Sequence, residues 1–169
     1  MFHQKLGRSR FNSGGIGKSQ DVDKGIPLME RLDDRVFAAT TESIRAARRF
    51  VREGGEAITI DAQTLADIEL ATSELVSNAI EHGTGDEYQV VIATTGGRFI
   101  VEVTSGHSGT ILSSPAEWTT SRPEMLSGRG LGLVIALSAN AWVRHVDDNV
   151  IIGCEFNISG YGQDATVIG

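Results

Sequence analysis

Apolar residues recur at helical spacing across residues 65–83, LADIELATSELVSNAIEHG. Leu65, Ile68, Thr72, Leu75 and Ala79 fall on one stripe, which predicts an amphipathic helix facing a core. Asp61 is placed to cap its start, and Gly83 to end it as a C′ residue. A second helical pattern covers residues 42–53, with Ile44, Ala47, Phe50 and Val51 inward, Thr40 or Thr41 as cap and Gly54-Gly55 as the stop. A short strand, residues 35–39, precedes it. After Gly83 the run 88–94, YQVVIAT, and the run 99–104, FIVEVT, read as strands joined by a tight hairpin at Gly96-Gly97. Residues 105–128 have no periodicity. Residues 130–141 are apolar nearly all round, which predicts a buried helix. Strands at 142–146 and 150–158 close the pattern across Asp147-Asp148-Asn149. Strand, helix, helix, two strands, loop, helix, two strands is the order of an α/β two-layer sandwich. A mixed sheet with its helices on one face is expected.

The 169 residues suit one domain, expected over 28–159, with flexible tails at 1–27 and 160–169. No apolar run is long enough to span a membrane, and none near Met1 has signal-peptide character. The single cysteine, Cys154, allows no internal disulfide and fits a reducing cytoplasm. The net charge of −7 is unevenly spread: five Lys/Arg against two Asp give residues 1–27 a charge of +3, leaving −10 on the rest. An acidic body argues against nucleic acid as ligand and suits a basic protein partner. Within the tail, Gly17-Lys18-Ser19 has the ending of a phosphate-binding P-loop. Asn12 stands where that motif needs its first glycine, however, and no hydrophobic strand precedes it, so a linker is the better reading.

Glu74 and Asn78 lie four residues apart and share one helix face. That face is about 120° from the core stripe, on the shoulder of the helix. An isolated pair of this kind is most often two solvated polar residues. Here a carboxylate able to take a proton stands beside an amide oxygen able to ligate a hard cation. The later stretch SGRGLGLVIALSA, residues 127–139, sharpens the reading. Gly128, Gly130 and Gly132 open a helix whose free N–H groups attract anions. A cation-binding helix and an anion-binding helix start together describe a Mg²⁺-nucleotide site.

ELVSNAIEHG resembles the N box of the GHKL ATPases, and GRGLGLVIALSA resembles their second glycine box. The pattern is most similar to the short bacterial anti-sigma-factor serine kinases and covers roughly residues 36–158. The resemblance implies a Bergerat fold, with ATP and Mg²⁺ as cofactors. It makes Asn78 the Mg²⁺ ligand and Glu74 the general base for an attacking hydroxyl. The backbone around Gly128, Arg129, Gly130, Leu131 and Gly132 becomes a phosphate cradle, and the loop 105–128 an ATP lid on which Trp118 and Met125 could fold back. The first helix, with Arg45, Arg48, Arg49 and Arg52 exposed, would lie near dimer and partner surfaces. His82 follows the N box as a capping or packing residue.

The sequence departs from the family at the first glycine box. The aspartate that accepts from the adenine amino group is replaced by Ser105, with Gly106 and Gly109 as remnants of the box. Glu102 points to the other face of its strand and cannot substitute. Ser105 can accept a hydrogen bond but carries no charge, and losing a charge-assisted bond costs about 1.5–3 kcal/mol.

Two functions are therefore expected to compete. One is an ATP-binding anti-sigma-factor-like regulator that phosphorylates a serine or threonine of an antagonist protein. The other is a kinase-inactive module of the same fold that acts by contact with a sigma factor or antagonist. A histidine-kinase catalytic module fits less well, because the helix before the N box carries no histidine.

Overall fold

The computed structural model describes residues 29–107, Pro115 and 129–158. The tails and most of the expected lid lie outside the described residues. Five strands form one sheet in the order β1-β2-β3-β5-β4: β1 is Glu30–Ala38, β2 Thr84–Thr95, β3 Arg98–Gly106, β4 Asn140–Val146 and β5 Asn149–Asn157. Among the described residues three helices, α1 (Ser43–Ala57), α2 (Ala62–His82) and α3 (Arg129–Leu137), supply the second layer. The expected sandwich is what forms.

One detail of the sheet differs from expectation. Every hydrogen-bonded strand pair is antiparallel. The crossover β3–α3–β4 would make a parallel pair if its strands were neighbours, but β5 inserts between them. The β2–β3 hairpin turns on Gly96 (φ 52°) and Gly97 (φ 78°), the left-handed geometry that a two-residue hairpin loop requires.

Alternation along β2, β3 and β5 sends Tyr88, Val90, Ile92, Phe99, Val101, Val103, Val150, Ile152, Cys154 and Phe156 into the core beneath the helices. From α2 come Leu65, Ile68, Leu75, Val76 and Ala79. Thr72 is buried among them, and its hydroxyl donates to the Ile68 carbonyl at 2.7 Å, so no polar group is stranded. At the α1 end Phe37 stacks on Tyr88 at 5.5 Å, and the Tyr88 hydroxyl is 2.7 Å from Ser43 Oγ. Burial raises the Tyr88 pKa. The opposite sheet face mixes apolar and charged side chains: Val91, Ala93 and Ile100 are buried there, and Glu102 accepts from Trp142 Nε1 at 3.0 Å and from Arg144. The Trp142 indole covers Gly153, where an added methyl would fall 2.3 Å from the ring.

Helix ends are where sequence and structure part most. α1 does not stop at Gly54-Gly55 but runs to Ala57. A methyl on Gly54 would meet Ile92 Cδ1 at 2.2 Å, and one on Gly55 would meet Leu65 Cδ2 at 2.5 Å. These glycines let the helix approach the sheet and α2, and that packing outweighs their low helix propensity. The N-cap of α1 is Glu42, without a side-chain capping bond, and not Thr40 or Thr41. Asp61 does cap α2, accepting from the Thr64 N–H at 3.0 Å. Gly83 ends α2 in extended geometry (φ −69°, ψ 158°), not the left-handed one. α3 ends at Leu137, short of residue 141, and Ile135 is exposed, because α3 lies along one side of α2 without being enclosed.

Candidate functional site

The site begins where α2 meets α3. Asp61 fixes the start of α2, and the stripe from Leu65 to Ala79 fixes its rotation. Glu74 and Asn78 are thereby held on its shoulder, both half-buried. Leu131 and Val134 anchor α3 in the same core. The two helices converge at Gly130. A methyl built there would fall 2.3 Å from Glu74 Oε2 and 3.3 Å from its Cδ. The carboxylate therefore occupies the space a side chain at 130 would need.

The first N–H groups of α3 have no partner within the helix, so its start favours negative charge. Glu74 sits at that favourable end. Arg129 opens the helix, Gly130 is half-buried, and Leu131 and Gly132 are buried. Gly128 and Gly109, both expected at the site, lie outside the described residues. The described residues contain no cluster of three or more metal-binding side chains. A hard cation at Asn78 would be held by one protein oxygen, with phosphate and water completing its shell, which is how Mg²⁺ is commonly bound beside phosphates.

Ser105 lies at the C-terminal end of α2. It is buried at the end of β3, paired with Tyr88 on one side and Val150 on the other. A methyl on Gly83 would fall 2.3 Å from the Ala79 carbonyl oxygen of α2 itself, and 3.1 Å from Ser105 Cβ and 3.2 Å from its Oγ. Gly83 is thus a close-approach residue, letting the end of α2 lie against β3. From Glu74 to Gly83 the helix rises about 13 Å. A nucleotide is an extended molecule of that order, phosphates at one end and base at the other.

His82 is half-exposed, with Nε2 3.9 Å from Glu81. Two histidines that the sequence did not single out come together beyond the end of β3. His107 follows β3, and its ring centroid lies 4.9 Å from that of His145 on β4, tilted by 56°. The only local signal was that His107 falls two residues beyond Ser105.

Three helices on one face of an antiparallel sheet, the central one set against a glycine-opened helix start, form a Bergerat-type ATPase fold. The chain belongs to the family described as the histidine kinase-like ATPase domain, whose model matches residues 37–152. The likeness to GHKL ATPases read from the two motifs is borne out at this level. Among solved structures, the RsbU and RsbW domains of Rv1364c from Mycobacterium tuberculosis match at 23% identity and a TM-score of 0.54. That match covers 75% of this chain and 32% of the other. The SiaB–SiaC complex from Pseudomonas aeruginosa matches at 16% identity and the same TM-score, 0.54, over 76% of this chain and 91% of the other. The chain thus spans about a third of the Rv1364c structure, and at these identities the likeness speaks for the fold. No curated protein matches the chain. Among the described residues no helix is long and apolar enough to cross a membrane.

Proposed function

We propose that this chain binds Mg²⁺-ATP along α2 and acts as an anti-sigma-factor-like regulator, phosphorylating a serine or threonine of an antagonist protein. The observation that carries the reading is the meeting of Glu74 with Gly130, one helical turn from Asn78. Asn78 would ligate Mg²⁺, which neutralises phosphate charge. The amides at Gly130, Leu131 and Gly132 would hold phosphate oxygens, with Gly128 and Arg129 on the approach. Glu74 would orient the incoming hydroxyl and take its proton as the new O–P bond forms, the bond to the β-phosphate breaks and ADP leaves. The phosphate placed on the partner would disrupt its interface by charge. A domain over 28–159, homodimerisation and a cytoplasmic setting belong to the same reading. The SiaB–SiaC structure supports a protein partner by analogy of fold.

Ser105 supports a second reading, a kinase-inactive module that works by contact with a sigma factor or antagonist. Calorimetry with Mg-ATP, Mg-ADP and Mg-GTP separates the two. The first reading expects saturable, Mg²⁺-dependent binding that Asn78→Ala abolishes. No binding of any nucleotide would overturn it and leave the contact module.

A further inference from the structure

The end of the sheet beside Gly83 carries three polar side chains that the phosphate end does not use. Ser105 on β3 is paired with Val150 on β5, and Val150 with His145 on β4. Residues directly opposed across strands project to the same side. Val150 is in the core beneath the helices, so Ser105, Val150 and His145 form one row on the helix-bearing face. His107 lies two residues past Ser105, and its N–H donates to the Asp148 carbonyl at 2.8 Å. Its ring contact with His145 places both imidazoles at the end of that row.

These side chains differ in kind from a carboxylate. A carboxylate only accepts hydrogen bonds, so it suits the adenine amino group and repels the guanine carbonyl. A hydroxyl donates and accepts, and a neutral imidazole carries one donor and one acceptor nitrogen. Such groups can satisfy either purine edge. Imidazole rings also offer a flat face on which a base can stack, an interaction that tolerates base identity.

We propose that Ser105, His107 and His145 form the base-contacting end of the nucleotide site, and that this end accepts purines without selecting adenine over guanine. The proposal rests on the reading that Glu74, Asn78 and Gly130 hold the phosphates.

The test is calorimetry on the full chain with Mg-ATP, Mg-GTP and Mg-triphosphate, using the parent, Asn78→Ala, His145→Ala and His145→Phe. The parent binds ATP and GTP within about threefold of each other. His145→Ala weakens both nucleotides about tenfold, the scale of one lost stacking contact, and leaves triphosphate binding unchanged. His145→Phe keeps the ring and retains most of the nucleotide affinity. His145 is exposed on an edge strand, so neither variant endangers the fold, and melting curves check this. A parent that prefers ATP by tenfold or more overturns the base-end proposal alone. So does a His145→Ala variant with unchanged affinities. Triphosphate binding that survives Asn78→Ala overturns the phosphate-end reading instead, and a parent that binds no nucleotide overturns both.

Discussion

Glu74 Oε2 on α2 stands where the side chain of residue 130 on α3 would begin, 2.3 Å from an ideal methyl position. The next nearest atoms to that position, Cδ and Cβ at 3.3 and 3.5 Å, also belong to Glu74. Gly130→Ala must therefore displace the carboxylate and nothing else. In the parent the displacement offsets the helix-propensity gain of alanine. In a Glu74→Ala background the obstacle is gone, and the same substitution should stabilise by up to about 1 kcal/mol. A double-mutant cycle by thermal melting reads the difference. If Glu74 is the base, Gly130→Ala also lowers ATP-dependent phosphoryl transfer by about a hundredfold, the scale of one general base.

Asn78→Ala should remove Mg²⁺-dependent nucleotide binding while leaving the melting temperature close to the parent's. Asn78 is half-buried on the shoulder of α2, outside the core formed by Leu75, Val76 and Ala79. Titrating nucleotide with and without Mg²⁺ checks it. Binding that equals the parent's under both conditions would remove Asn78 from the site.

The pattern of α2 was legible because every signal for it is local: the stripe, the Asp61 cap and the four-residue step from Glu74 to Asn78. What escaped depends on partners distant in sequence. The passage of α1 through Gly54-Gly55 is decided by Ile92 and Leu65. The uniformly antiparallel sheet follows from where β5 inserts, which no window of sequence reveals. His107 and His145 meet only because β3 and β4 flank the same strand. The Glu74–Asn78 step could therefore be read in advance, and the meeting of His107 with His145 could not.

Asp61 gives the fold a defined acid sensitivity. The Thr64 backbone N–H, with the Thr64 hydroxyl, holds its carboxyl below the ordinary value of 3.8. A carboxylate whose folded pKa is depressed contributes stability above its unfolded pKa and loses it as pH falls through the folded one. Asp61→Asn keeps a capping oxygen but cannot titrate. Its melting temperature should fall less steeply than the parent's once pH drops below about 4. Parallel slopes from pH 7 to pH 2 would show that the cap carries no such linkage.

Cys154 reports on the core from β5. Burial, reinforced by the neighbouring Glu155 charge, pushes its thiol up to about 12. The thiolate is the reactive form, so the native chain should resist alkylation at pH 8 and label fully in denaturant. Rapid labelling of native protein would mean that the β3–β5 region opens readily.

Ser105→Asp tests the base end from the opposite direction. Ser105 lies against Gly83, at the end of α2 where unpaired carbonyls concentrate negative partial charge. A carboxylate there is unfavourable without ligand, and the free variant should lose about 0.3–1 kcal/mol of stability. Adenine reverses the sign, because its amino group supplies the donor that the carboxylate needs. ATP should then bind more tightly by about 1.5 kcal/mol, roughly tenfold. GTP should gain nothing, since guanine presents a carbonyl at the same position. A parent tolerant of both purines would thus become selective through one substitution. Adding Glu74→Ala to this variant should abolish phosphoryl transfer and leave the tightened binding, because the two carboxylates act at opposite ends of the nucleotide. Melting curves with and without Mg-ATP, together with ATP and GTP titrations, read every part of this. Unchanged affinity for both nucleotides would place the base away from Ser105, and regulation by protein contact alone would then account better for the chain.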